Sequence, residues 1–389
     1  MDRKIHDWKA RAQALVERWD NLSDSLRSRL RKITGFNYPL MIMPYLGYGT
    51  PDKLLLSGRV LEDEGFIPAG DRDNTWQNLV NIYRRFETDE VAGARIRALF
   101  QGVEKEVVTD HEGYYSMEIN PIKPLDSRLW HEVELELLDP PSKDGQRILS
   151  TAQVLVPSST ATIGIISDLD DTVISTNVPN KLKMILTVTL FNEHTRKPFE
   201  GVAAFYRALQ KGKSGREENP IFYVSSSPWN LYTLLSEFLR VQEIPMGPLF
   251  LRDFGDHLLF SLQDQHSHKM SNIKKILDTY PHLPFVLIGD SGEQDPEIYR
   301  QIVKEYPKRV RVIYIRSVNR HPSRIEAIDK LVEEVRETAC QLVLTSDSEF
   351  AATHAAAEGL ISTGELPCIR SEKKNDKGAW KEETLAKLV

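Results

Sequence analysis

Two apolar runs, far apart in the chain, each stop abruptly at a carboxylate, and this constrains the fold more than anything else in the sequence. Gly164-Ile165-Ile166-Ser167 runs into Asp168, with Asp170 two residues on and Thr172 after it. Phe285-Val286-Leu287-Ile288-Gly289 runs into Asp290. Each run has the length of a buried strand, and from about residue 161 strand-like and helix-like segments alternate. The candidate strands are Ile163–Ser167, Ile221–Ser225, Leu249–Leu251, Phe285–Gly289, Val310–Ile315 and Gln341–Leu344. Between them lie helical segments that include Val202–Gln210, Leu231–Leu239, Asn272–Thr279 and Pro296–Glu305. This alternation predicts an α/β fold, a Rossmann-like parallel sheet with helices on both faces. Such sheets bind ligands beyond the strand C-termini, where the connectivity reverses.

The chain ahead of this region has a different character. Over residues 1–35, Ile5, Trp8, Ala12, Leu15, Trp19, Leu22, Leu26 and Leu30 recur at three- and four-residue steps, the pattern of an amphipathic N-terminal helix. That helix either packs on the body or touches anionic membrane. Residues 36–158 hold short runs of alternating type, among them Leu54–Leu61, Arg95–Phe100, Tyr114–Ile119 and Val133–Leu138, with a helical insert expected near Trp76–Phe86. They predict a small antiparallel β-sandwich, with a turn at Asp110-His111-Glu112-Gly113. Pro157–Thr160 reads as a linker into the α/β part, 159–362, and 363–389 as a polar, mobile tail. A length of 389 residues calls for this many parts, since it exceeds one ordinary core.

The net charge of −6 gives no basic footprint for general nucleic-acid binding. Cys340 and Cys368 have neither metal nor redox spacing and read as reduced thiols. No apolar leader region and no uninterrupted apolar stretch of about 18 residues is present. The expected setting is cytoplasmic, open to peripheral membrane contact.

Two strand ends that crowd carboxylates into one crevice need a cation, which points to a Mg²⁺ site for phosphate chemistry. Asp168 can attack phosphorus in line, and Asp170 can protonate the leaving alkoxide and then deprotonate water. Thr172 would steady their loop. In Val224-Ser225-Ser226-Ser227-Pro228-Trp229, Ser225 directly ends a strand and is the first choice for a phosphate oxygen. Ser227 suits either that role or an N-cap. Lys269, placed at the opening of the helix before the fourth strand, would neutralise Asp168 and the transferring phosphoryl group. Asp290 would bind the metal directly with Asp168. Asp295 would bind it through water or brace a ligand, and Glu293 would do either; Asp295 also suits a helix N-terminus with Pro296 at its first position.

Taken in order, Asp168-Leu169-Asp170-Asp171-Thr172, a strand-end Ser, a later Lys and Gly289-Asp290-Ser291 followed by Asp295 resemble the four motifs of the haloacid dehalogenase superfamily of Asp-nucleophile phosphohydrolases. Pro44-Tyr45-Leu46-Gly47-Tyr48-Gly49-Thr50-Pro51, Gly58-Arg59-Val60-Leu61 and Ser225 through Trp229 narrow this. They are similar to the phosphatidate phosphatase family first associated with actin patches, over roughly 44–320. The resemblance implies Mg²⁺-dependent conversion of phosphatidate to diacylglycerol. It makes Asp168 the nucleophile, Asp170 the acid/base, Ser225 and Lys269 phosphate ligands and Asp290 a metal ligand. Ser226 stands in the phosphate loop where the family usually has Asn. Lys181–Phe191, where the superfamily places its flap, suits lipid contact or burial. No large cap fits the spacing, so the site would be open to a bulky or membrane-borne phosphomonoester. A soluble or protein-borne phosphomonoester, and a non-catalytic adaptor on the same fold, are the competing readings.

Overall fold

A computed structural model of the chain describes residues 39–62, 90–142, 145–169, 200–252, 262–318 and 321–375. The expected N-terminal helix, the insert near Trp76–Phe86, the Lys181–Phe191 segment, Asp170 and Thr172 lie outside these residues. Among the described residues no helix is long and apolar enough to cross a membrane.

Eight strands make the first sheet: β1 (Leu40–Pro44), β2 (Gly47–Thr50), β3 (Lys53–Glu62), β4 (Arg95–Phe100), β5 (Val103–Val108), β6 (Tyr114–Ile119), β7 (Trp130–Asp139) and β8 (Ile148–Leu155). They are ordered β1-β3-β2-β8-β7-β4-β5, with β6 on β3. Alternation drives their burial. In β7, His131, Val133, Leu135 and Leu137 point inward while Glu132 and Glu134 face water. Leu54, Leu56, Ile96, Val133, Leu135 and Val154 meet in one core. The expected turn is present: Asp110 Oδ1 accepts the N–H groups of Glu112 and Tyr114 at 3.0 and 2.9 Å. One pairing departs from the antiparallel expectation, because β2 runs parallel to β8.

The second sheet holds β9 (Gly164–Asp168), β10 (Ile221–Pro228), β11 (Leu249–Arg252), β12 (Phe285–Asp290), β13 (Val310–Arg316) and β14 (Gln341–Thr345). Their order is β11-β10-β9-β12-β13-β14, and every pairing is parallel. Around it pack α1 (Val202–Lys211), α2 (Tyr232–Val241), α3 (Leu262–Thr279), α4 (Asp295–Glu305), α5 (Pro322–Arg336) and α6 (Ser348–Ala357). The two-residue period sorts the strands' side chains between two layers. Ile165, Tyr223, Val286 and Tyr314 pack with α1, α2 and α6. Ile166, Phe222, Leu287 and Ile313 pack with α3, α4 and α5. Burial on both faces explains why these strands read as continuous apolar runs.

Two elements differ from expectation. α3 begins at Leu262, ten residues before the expected Asn272, because its first half is polar and lacks an apolar stripe. The polar run after 363 continues as a 3-10 turn and a helix over 366–375. Ile369 is fully buried there, Glu372 accepts the Ala204 N–H at 2.7 Å, and Lys373 pairs with Asp347 and Glu349 at 3.0 and 2.9 Å. A single apolar anchor among charges gives composition little to register.

Candidate active site

The winding of the parallel sheet reverses at its centre. From β9 the chain builds β10 and β11 on one side, then crosses to build β12, β13 and β14 on the other. The crevice beyond the C-termini of β9 and β12 is therefore the switch point. Asp168 ends β9, opposite Val224 of β10. Asp290 ends β12, opposite Arg316 of β13, which in turn faces Thr345 of β14. Asp168 and Asp290 are both buried.

Lys269 reaches this crevice from well inside α3 rather than from its opening, the position expected from sequence. Its Nζ lies 2.6 Å from Asp168 Oδ1, 2.8 Å from Glu293 Oε2 and 2.8 Å from Asp295 Oδ1. The ammonium donates hydrogen bonds to Glu293 and Asp295 and forms an ion pair with Asp168. Burial alone would lower the Lys269 pKa, but Asp168 and Asp295 outweigh it and hold the group well above its ordinary value. Three carboxylates within 2.8 Å favour its charged form.

The acidic loop after β12 is fixed by its own backbone. Asp290 Oδ1 accepts the N–H groups of Gly292 and Glu293 at 2.5 and 3.0 Å, and Asp295 Oδ2 accepts that of Asp290 at 3.1 Å. Asp295 can sit this close only because residue 289 is glycine: a Cβ there would lie 2.5 Å from Asp295 Oδ2 and 2.8 Å from the Tyr299 ring. From α5, Arg324 donates to the carbonyls of Ser291 and Glu293 at 2.9 and 2.6 Å and pairs with Glu297.

On the other flank, Ser225 Oγ accepts the Ser227 N–H at 2.9 Å, and both serines are buried. Ser226 Oγ is buried without a hydrogen-bond partner among the described residues. His268 lies beside the backbone of Phe250 and Ser225, which places α3 against β10 and β11. Burial, then the nearby Arg252, push its pKa below the ordinary 6.5.

One oxygen each from Asp168, Glu293 and Asp295 lie within 4.8 Å of one another. The three are an acidic group of the kind that holds a metal ion, and they are also the carboxylates that face the Lys269 ammonium, so an ion bound there would share them with the lysine. Glu293 and Asp295, expected to bind the ion or to brace its ligands, lie with Asp168 in this group. Two arginines were not foreseen, the buried Arg252 at the end of β11 and the half-buried Arg316 at the end of β13. Burial lowers the Arg316 pKa to about 10 against the raising pull of Tyr206, Asp347, Glu200 and Asp290. Each arginine directly follows an expected strand, the signal that had singled out Asp168 and Asp290.

Between the two sheets lies a cleft of about 990 Å³, lined among others by Tyr48, Trp229, Phe250 and Asn272. Trp229 follows the serine loop, and Asn272 is one helical turn beyond Lys269.

Residues 163–317 match the family described as "Phosphatidate phosphatase APP1, catalytic domain". The Saccharomyces cerevisiae protein named Phosphatidate phosphatase APP1 is 30% identical over 171 residues, 44% of this chain and 28% of that one. An uncharacterized Schizosaccharomyces pombe protein is 30% identical over 252 residues, 62% of this chain and 40% of its own. This chain thus spans well under half the length of either relative. Among solved structures, a Parabacteroides merdae beta-glucuronidase aligns with 78% of this chain and 39% of its own at 8% identity and a TM-score of 0.27, too slight a likeness to bear on fold or chemistry.

Proposed function

Taking residues 163–317 as a catalytic domain of the phosphatidate phosphatase kind, we propose that this protein is a phosphomonoester hydrolase that converts phosphatidate to diacylglycerol. One observation carries the chemistry: Asp168, at the central strand end, lies 2.6 Å from a buried Lys269 that Glu293 and Asp295 hold in place. In this reading the Asp168 carboxylate attacks phosphorus, and the bond to the glycerol oxygen breaks as the aspartyl-phosphate forms. Asp170 gives its proton to the departing alkoxide. It then takes one from a water whose oxygen attacks the same phosphorus, releasing inorganic phosphate and restoring Asp168. Lys269 offsets charge on the phosphoryl oxygens. Ser225, Ser226 and the N–H groups of their loop receive those oxygens, and Thr172 steadies the Asp168–Asp170 loop.

Mg²⁺ belongs to the same proposal. Asp168 and the acids of the 290–295 loop would hold it, with Asp170 alongside. When bound, it supplies positive charge to the transferring phosphoryl group. The strand order supports a Rossmann-like, haloacid dehalogenase-type reading of the 159–362 part. The separate core of the first sheet supports treating 36–158 as a sandwich-like accessory unit. A cytoplasmic enzyme that meets its lipid at the membrane surface is the setting we assign.

The cleft favours a lipid over a small ester. Its walls continue the two elements that carry the phosphate ligands, and its volume lies at the upper end of the range of ligand pockets. Phosphate release from vesicle-borne phosphatidate and from p-nitrophenyl phosphate, with and without Mg²⁺, tests the proposal, with Asp168→Asn as control. The expected result is Mg²⁺-dependent release that favours phosphatidate and disappears in the variant. A preference for the small ester by orders of magnitude would refute the lipid assignment, and an active Asp168→Asn would refute the mechanism.

A further inference from the structure

The run Pro44-Tyr45-Leu46-Gly47-Tyr48-Gly49-Thr50 has no part in the chemistry above, yet it is where the first sheet meets the start of α2. Tyr45 and Leu46 form the corner between β1 and β2. That corner is held firmly on its own sheet. The Tyr45 N–H donates to the Ser57 carbonyl at 2.9 Å, and a Cβ on Gly47 would lie 2.5 Å from the Leu55 carbonyl oxygen. From this base the buried Tyr45 ring stacks on Trp229, with 4.7 Å between centroids and 12° between planes. It also lies 4.2 Å from the Tyr232 ring. The Leu46 N–H donates to the Tyr232 hydroxyl at 2.6 Å, and the Thr233 hydroxyl donates to the Met43 sulfur at 3.4 Å.

Trp229 and Tyr232 matter because of what precedes them. Trp229 follows Ser225-Ser226-Ser227-Pro228 directly, and Trp229–Leu231 is the 3-10 turn that leads into α2. Neither that turn nor α2 has a side-chain cap. A helix start without its own cap takes its position from whatever it packs against. Here that support comes from the other sheet, through directional ring stacking and a backbone hydrogen bond.

We infer that Tyr45 is a positioning residue for phosphate binding. Through Trp229 and Tyr232 it sets the backbone of Ser225–Ser227, so the first sheet completes the phosphate site without touching phosphate itself. The inference rests on reading that loop as the phosphate cradle.

Calorimetric titration of inorganic phosphate, with Mg²⁺ present, into the full-length chain tests it. The proteins compared are wild type, Tyr45→Phe, Tyr45→Ala, Tyr232→Phe and Leu135→Ala, the last a change deep in the first sheet's own core, with thermal midpoints measured on each. Tyr45→Phe keeps the stack and is expected to bind as wild type does. Tyr45→Ala is expected to bind about tenfold more weakly, equivalent to about 1.4 kcal/mol. Tyr232→Phe should fall between, while Leu135→Ala should lower the midpoint and leave phosphate affinity alone. Wild-type affinity in Tyr45→Ala, or an equal loss in Leu135→Ala, overturns the inference. If Tyr45→Ala fails to fold, unchanged affinity in Tyr232→Phe overturns it instead. Wild type that binds phosphate but hydrolyses no phosphomonoester defeats the enzymatic reading alone. Wild type that has no affinity for phosphate defeats the inference.

Discussion

Lys269 is the residue on which the crevice balances. Asp168, Glu293 and Asp295 all face its ammonium at 2.6 to 2.8 Å, and it is buried together with Asp168 and Asp295. Removing one partner of a buried ion pair leaves the rest uncompensated. Lys269→Met is therefore expected to lose about 3–5 kcal/mol of stability, read as a lower denaturant midpoint, in addition to turnover. An unchanged midpoint would mean that the acids do not depend on it. His268, beside it, makes a pH prediction. Burial and Arg252 keep its folded pKa below 6.5, so the unfolded chain takes up the proton first as pH falls. Stability on this account is lost as pH drops below about 6.5. Between about pH 7.5 and about pH 5 the thermal midpoint should fall less in His268→Gln than in wild type; equal falls would contradict the assignment. At this scale the sequence was most legible where a strand ended. The residues just past the six expected strands include Asp168, Ser226, Arg252, Asp290, Arg316 and Thr345, polar in every case. The convergence of Glu293 and Asp295 on Lys269 was not legible, because it depends on where α3 passes, and the polar first half of α3 gives no periodic signal.

Among the elements, the loop from β12 into α4 is closed on itself. Its turn is closed by Asp290 Oδ1 on two backbone N–H groups, and Asp295 folds back against Gly289. Gly289→Ala pushes a methyl group into Asp295 and Tyr299, neither of which is a loose surface side chain. Overpacking of this kind costs about 1–3 kcal/mol. The expected result is a lower urea midpoint at unchanged m-value, with reduced turnover as Asp295 is displaced; wild-type stability would show that the loop can yield. The run Phe285–Gly289 was readable as a strand because both of its faces are buried and apolar. The helix over 366–375 was not, since its hold on α1 and α6 lies in Ile369 and in charges that pair only in the fold.

In the molecule as a whole, the two sheets share packing as well as chain. Tyr45 is part of the core on one face of the parallel sheet, and Tyr48, Leu129 and Leu155 are part of the core on the other. Sequence showed two patterns, one alternating and one strand–helix–strand, but not this interlock, because stacking between Tyr45 and Trp229 spans residues with no periodic relation. The consequence for function is that a crevice built from the ends of β9, β10, β12 and α3 is held from both sides, with Asp168 at its centre. The most direct test of that claim is to quench the Mg²⁺-loaded protein during turnover of phosphatidate and locate covalently bound phosphate by peptide mass spectrometry. The account predicts phosphate on the peptide carrying Asp168, and its loss in Asp168→Asn. Turnover with phosphate found on another residue, or retained after that substitution, would contradict it.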